Sequence, residues 1–77
     1  MDIGTGIAIL GPALAVGLAG AGAGVGIGLA GKGSLEAMAR NPNMYSKIQT
    51  NMLIAAALAE SVAIYGLVIA FILLGKI

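Results

Sequence analysis

Residues 52–74, MLIAAALAESVAIYGLVIAFILL, form an unbroken apolar run that carries a single charge, at Glu60. As an α-helix, a run of this length is about 35 Å long, at ~1.5 Å per residue. The hydrocarbon core of a bilayer is about 30 Å thick and takes about 20 apolar residues to cross. The run therefore predicts a membrane-spanning helix with one ionisable side chain inside the membrane.

A second apolar run, residues 3–31, precedes it and contains no charged side chain. Of the 77 residues, 60% are hydrophobic and 9% are charged, whereas about a quarter are charged in soluble domains. A soluble domain this short usually depends on disulfides or a metal, and the chain has neither cysteine nor histidine. The composition excludes a soluble domain, and a net charge of +1 without a basic run argues against a nucleic acid partner.

The stretch between the two runs is polar and contains a turn signal, Asn41-Pro42-Asn43. We therefore predict an all-α membrane protein, a hairpin of two transmembrane helices that forms one unit over residues 1–77. Helix 1 is expected at about 3–39, the polar loop at about 40–46 and helix 2 at about 47–75.

Basic residues predict the orientation of the hairpin, because cytoplasmic segments of membrane proteins carry an excess of lysine and arginine. The region of the loop holds Lys32, Arg40 and Lys47, whereas the termini hold only Lys76. We expect the loop on the cytoplasmic side and both termini on the opposite side. The start at Met1 with no presequence favours a bacterial or plastid-encoded chain, so we expect a bacterial inner membrane as the location.

Glycine occupies alternate positions in the first run, at Gly20, Gly22, Gly24, Gly26 and Gly28. On a helix these residues separate into two stripes about 200° apart, and small residues at four-residue spacing let helices pack closely in lipid. Identical chains with a close neighbour on each flank form a head-to-tail array that can close into a ring. The pattern therefore favours a ring, with the alternative that one stripe packs on the second helix of the same chain.

Glu60 is the candidate functional residue. It lies eight residues past Met52, so it is about 12 Å deep in the membrane. A carboxylate there costs at least ~2.5 kcal/mol, and desolvation favours its neutral form. Such a group either carries a proton or holds a cation; in the alternative view it only bonds to a neighbouring helix. Ser61 and Tyr65 supply hydroxyl groups that could support an ion at this position.

Three features in this order resemble the c-ring family, the rotor-ring proteolipids of the F-type ATP synthase, over essentially the whole chain. They are the alternating glycines, the Arg40-Asn41-Pro42 turn, and Glu60 preceded by Leu53-Ile54 and Leu58. The resemblance implies a ring of identical c subunits in which Glu60 carries ions past the a subunit of the stator. It also implies that Arg40, Asn41 and Pro42 contact the central-stalk subunits gamma and epsilon.

By this resemblance the protein is not an enzyme by itself, has no catalytic residue, resident metal or cofactor, and is surrounded by membrane lipids.

Sodium-dependent members of the family complete their site with a glutamine on the first helix. Ile27 stands at the matching position here, and Val62 after Ser61 adds no side-chain oxygen. A proton is therefore the expected ion, with sodium at Glu60 and Ser61 as the alternative. From a different class, a pore-forming or purely structural membrane proteolipid stays open.

Overall fold

The computed structural model describes all residues from Met1 to Ile77, and it consists of two long helices joined by a tight turn. Helix α1 spans Ile3–Arg40, a single 3-10 turn follows at Pro42–Met44, and helix α2 spans Tyr45–Leu74. Both helices are long and apolar enough to cross a membrane. The predicted all-α hairpin is confirmed.

Helix α1 begins where the side chain of Asp2 caps it. The Oδ1 atom of Asp2 accepts a hydrogen bond of 2.7 Å from the backbone amide of Thr5. An aspartate at this position satisfies one of the amides that the first turn of a helix leaves without a partner. This hydrogen bond to the charged form lowers the pKa of the Asp2 carboxyl.

The connection between the helices is shorter than the predicted loop at about 40–46. Proline disfavours helical geometry in the residue before it, and Asn41 accordingly has φ −134° and ψ 71°. The backbone amide of Asn41 still bonds to the carbonyl of Ala37, and the amide of Met44 bonds to the carbonyl of Asn41. These bonds close the reversal within a few residues, so α2 already starts at Tyr45.

The two helices pack antiparallel along a seam of small residues. An added Cβ at Gly66 would meet Ala15 and Ala19, one at Gly31 would meet Met52, and one at Gly11 would meet Leu73. These contacts fix a register in which Glu60 of α2 lies level with Ala23 of α1, and Ala23 is 6% exposed.

The hairpin has almost no core of its own. Only 4 of 77 residues are buried, and nearly every large apolar side chain is exposed. The molecule measures 59 × 16 × 10 Å, so its long axis exceeds the ~30 Å hydrocarbon core. An apolar surface of this extent is typical of a protein that is covered by lipid or by neighbouring chains.

Candidate functional site

Glu60 emerges from a flank of the hairpin. Four residues of α2 pack on α1 around this level: Ala59, Ala63, Gly66 and Ala70. At 100° per residue, the middle of this packing face lies about 90° around the helix from Glu60. The carboxyl group therefore lies beside the seam, level with Ala23 and its neighbours Gly22 and Gly24. This position places it where a second hairpin would pack.

No group of its own chain satisfies the carboxyl of Glu60. The side chain is exposed, and none of the four side-chain hydrogen bonds of the chain involves it. By helix rise, Lys32 is about 14 Å and Lys47 about 20 Å away along the hairpin axis. An ionised Glu60 in lipid would thus lack both a hydrogen-bond donor and a counter-charge from the same chain.

Ser61 lies about 100° around α2 from Glu60, on the face turned away from α1. Its hydroxyl donates a hydrogen bond of 2.9 Å to the backbone carbonyl of Ala57. Serine in a membrane helix often bonds its own backbone in this way. Within one chain, the hydroxyl group of Ser61 is therefore directed to the helix backbone and not to the carboxyl.

Tyr65 is 67% exposed and lies about 140° around α2 from Glu60. The two side chains are therefore on opposite flanks of the hairpin, and the structure does not bring them together within one chain. A hydrogen bond from Tyr65 to a carboxyl at this level would have to reach a neighbouring molecule.

The glycine stripes of α1 do not pack on α2. An added Cβ would meet nothing within 4 Å at any glycine from Gly17 to Gly28; on either side of this segment, Gly11 lies near Leu73 and Gly31 near Met52 of α2. The seam of α1 is built from other small side chains instead, at Ala15, Ala19, Ala23 and Ala30. Both glycine flanks are thus free for neighbours, in contrast to the alternative in which one stripe pairs with the second helix.

The residues of the turn are exposed at the end of the hairpin. Arg40, Asn41 and Pro42 all lie on the surface, followed by Met44, 42% exposed, and Tyr45, 53% exposed. Met44 and Tyr45 were not singled out from the sequence, although an aromatic residue two positions after the turn signal was visible. An exposed tip of this composition offers polar and apolar contacts to a partner.

Gly66 was also missed as a packing residue. An added Cβ would lie 2.5 Å from the Cβ of Ala19 and 2.8 Å from the carbonyl oxygen of Ala15. The signal was present, because Gly66 is the only glycine of α2 and shares one face with Ala59, Ala63 and Ala70.

Comparisons with known proteins point in one direction. The model of the family described as the C subunit of ATP synthase matches residues 10–73. The chain is 54% identical over 70 residues to the ATP synthase c subunit of Clostridium botulinum (strain Eklund 17B / Type B), covering 91% of this chain and 97% of the relative. It is 44% identical over 76 residues to the protein of the same name from Carboxydothermus hydrogenoformans, covering 99% and 93%. A third relative of that name, from Aquifex aeolicus, is 54% identical over 73 residues, covering 95% and 73%.

Proposed function

The chain belongs to the family of ATP synthase c subunits, and on that premise we propose that Glu60 carries protons around the rotor ring of an F-type ATP synthase. The observation that supports this role is an unpartnered carboxyl on the flank of the hairpin, level with the glycine-rich segment of α1. It is the only charged group within the apolar runs of the two helices.

The proposed cycle uses two states of one carboxyl group. The carboxylate takes up a proton from an aqueous path and becomes a neutral carboxylic acid, which can travel through lipid because it bears no charge. On reaching a second aqueous path it releases the proton and becomes ionised again. Uptake on one path and release on the other convert ion flow into rotation.

The partners in this proposal are identical chains, a stator and a stalk. Neighbouring hairpins pack on the free glycine flanks of α1, where backbones can approach closely. The a subunit of the stator supplies the two aqueous paths and a cation for the ionised Glu60. The exposed tip with Arg40, Asn41 and Pro42 contacts gamma and epsilon on the cytoplasmic side of a bacterial inner membrane, because the basic residues cluster at that end.

A proton suits the side chains better than sodium does. A hard cation is held by several oxygen atoms, whereas a proton needs one carboxyl group. Ile27 offers no oxygen, and the hydroxyl of Ser61 already bonds to Ala57. Ser61 remains the residue on which a sodium-coupled version of the ring would depend.

Carbodiimide labelling of the purified ring tests the proposal. The reagent attacks protonated carboxyl groups in apolar surroundings, so we expect selective labelling at Glu60 that falls as the pH rises and is unaffected by sodium. The carboxyls of Asp2 and Glu36, outside the apolar runs, are internal controls in the same mass spectrum. Protection by millimolar sodium would assign the sodium-coupled version, and absence of selective labelling would leave a structural proteolipid.

A further inference from the structure

Among the glycines of the chain, Gly66 lies closest to the opposite helix. A Cβ at this position would stand 2.5 Å from the Cβ of Ala19 and 2.8 Å from the backbone oxygen of Ala15. Carbon atoms are in optimal contact at about 3.5–4.0 Å, so one added methyl group requires the helices to move apart by about 1 Å. Gly66 therefore sets the spacing of α1 and α2 in this part of the hairpin.

This contact lies close enough to Glu60 to control its position. Gly66 follows Glu60 by six residues, about 9 Å along the same helix. On the other side of Glu60, the side chain of Met52 comes within 3.6 Å of a Cβ built on Gly31. Glu60 is thus held between two contacts with α1, and the uninterrupted helix α2 transmits a displacement at one of them to the carboxyl.

Few other groups at this level can influence the carboxyl. Residues 3–31 of α1 contain no titratable side chain, and the only other one in the apolar run of α2 is Tyr65, on the opposite flank, where it faces a neighbouring hairpin. Lys32 and Lys47 lie about 14 Å and 20 Å away along the axis. Apart from Tyr65 of a neighbouring hairpin, the packing of α1 and that hairpin around Glu60 therefore determines how much water reaches the carboxyl.

We propose that Gly66 is a positioning residue for Glu60. Because Gly66 has no side chain, α2 can approach α1 closely enough to keep the carboxyl at a contact between neighbouring hairpins from which water is excluded. This inference rests on the proposed function of Glu60 as a proton carrier. It adds a residue whose only role is to set how far the carrying carboxyl stands from α1.

The test is Gly66→Ala, read out as the pH profile of carbodiimide labelling at Glu60 in the assembled ring. Wider helix spacing admits water and favours the ionised carboxylate, so the labelling midpoint moves to lower pH. A shift of about one pH unit corresponds to roughly tenfold slower labelling above the midpoint. ATP synthesis driven by a proton gradient falls in parallel, because the carboxyl is displaced from its partners.

Two second-site variants separate this contact from a general packing defect. Ala19→Gly removes the methyl group that the new Cβ meets, so Gly66→Ala with Ala19→Gly moves the midpoint back toward that of the unmodified ring. Ala15→Gly is the matched control, because the obstacle there is the backbone oxygen, which the substitution leaves in place. Both changes replace alanine by glycine in α1, with the same loss of helix propensity.

An unchanged pH profile in Gly66→Ala overturns the proposal, and so does equal rescue by the two second-site variants. If Gly66→Ala alone forms no ring, assembly of the two double variants becomes the measurement, and only the one with Ala19→Gly is expected to assemble. Loss of selective labelling at Glu60 in the unmodified ring would instead contradict the proposed function itself, so the two failures are distinguishable.

Discussion

Glu60 combines depth in the membrane with the absence of any partner in its own chain. A carboxyl on the outer face of α2 would contact only lipid, and one in the seam between α1 and α2 would be buried among alanines, out of reach of water. In the proposed ring, a carboxyl on the flank would meet the next hairpin on one side and could be reached from outside the ring on the other. This position favours a group that changes its charge state during each turn.

Glu60→Gln tests the charge change directly. Glutamine has nearly the same size and cannot ionise at physiological pH, so we expect the ring to assemble while proton-driven ATP synthesis falls to background. The measurement is synthesis by reconstituted complexes together with ring assembly on a native gel. ATP synthesis at a normal rate would show that Glu60 has only a structural role.

At the scale of single residues, sequence reasoning could identify Glu60 because one charge in an apolar run is expensive wherever the helix is placed. It could not establish the contacts of Ser61 or the packing at Gly66. Those depend on which face of α2 meets α1, and both helices are apolar all round, so hydrophobic periodicity does not mark the seam.

At the scale of elements, the two helices follow from the length and apolarity of their runs. The loop was predicted too long because Asn41-Pro42-Asn43 marks a reversal without fixing its hydrogen bonds. In the structure, the backbone amides of Asn41 and Met44 donate hydrogen bonds to the carbonyl groups of Ala37 and Asn41. The turn therefore takes only a few residues, and α2 begins earlier than predicted.

The start of α1 is expected to depend on pH through Asp2. The hydrogen bond from Thr5 lowers the pKa of this carboxyl, so the cap is intact above the carboxyl's unfolded-state pKa and is lost as the pH falls through the lowered, folded-state pKa. We expect the first turn to fray at acidic pH, measured by NMR shifts of the Thr5 amide in detergent. Asp2→Asn is the matched control, because asparagine caps a helix equally well without titrating. Fraying in both proteins would exclude Asp2 as the cause.

The glycine stripes can be tested by Gly24→Leu. Gly24 lies on a free flank, and a leucine there blocks the close approach of a neighbouring α1, so we expect few or no normal rings on a native gel. The matched control is Ala21→Leu, which adds a similar side chain at nearly the same level, on the face of α1 turned away from α2 and between the two stripes. Normal rings from Gly24→Leu would contradict the role assigned to the glycines.

At the scale of the whole molecule, the hairpin is an incomplete structure. Two helices in contact mainly through alanine and glycine leave their large side chains exposed. In lipid this surface is tolerated, but small residues on both flanks of α1 leave gaps that lipid chains fill poorly. Neighbouring hairpins fill such gaps by backbone contact, so the incomplete packing of one chain favours the ring that the glycine spacing predicts.

The packing of the hairpins also predicts whether the centre of the ring conducts protons, which distinguishes a rotor ring from a pore. The face of α1 turned away from α2 would line the centre of the ring, and it carries apolar side chains throughout the membrane, among them Leu14, Leu18 and Val25. An apolar constriction excludes water and therefore blocks the passage of ions. We therefore expect purified rings in liposomes to leak protons no faster than empty liposomes, measured with an enclosed pH indicator under an imposed gradient. Leak that rises with the amount of ring, and persists in Glu60→Gln, would favour the pore-forming alternative, because such a leak needs an open path and no carrier.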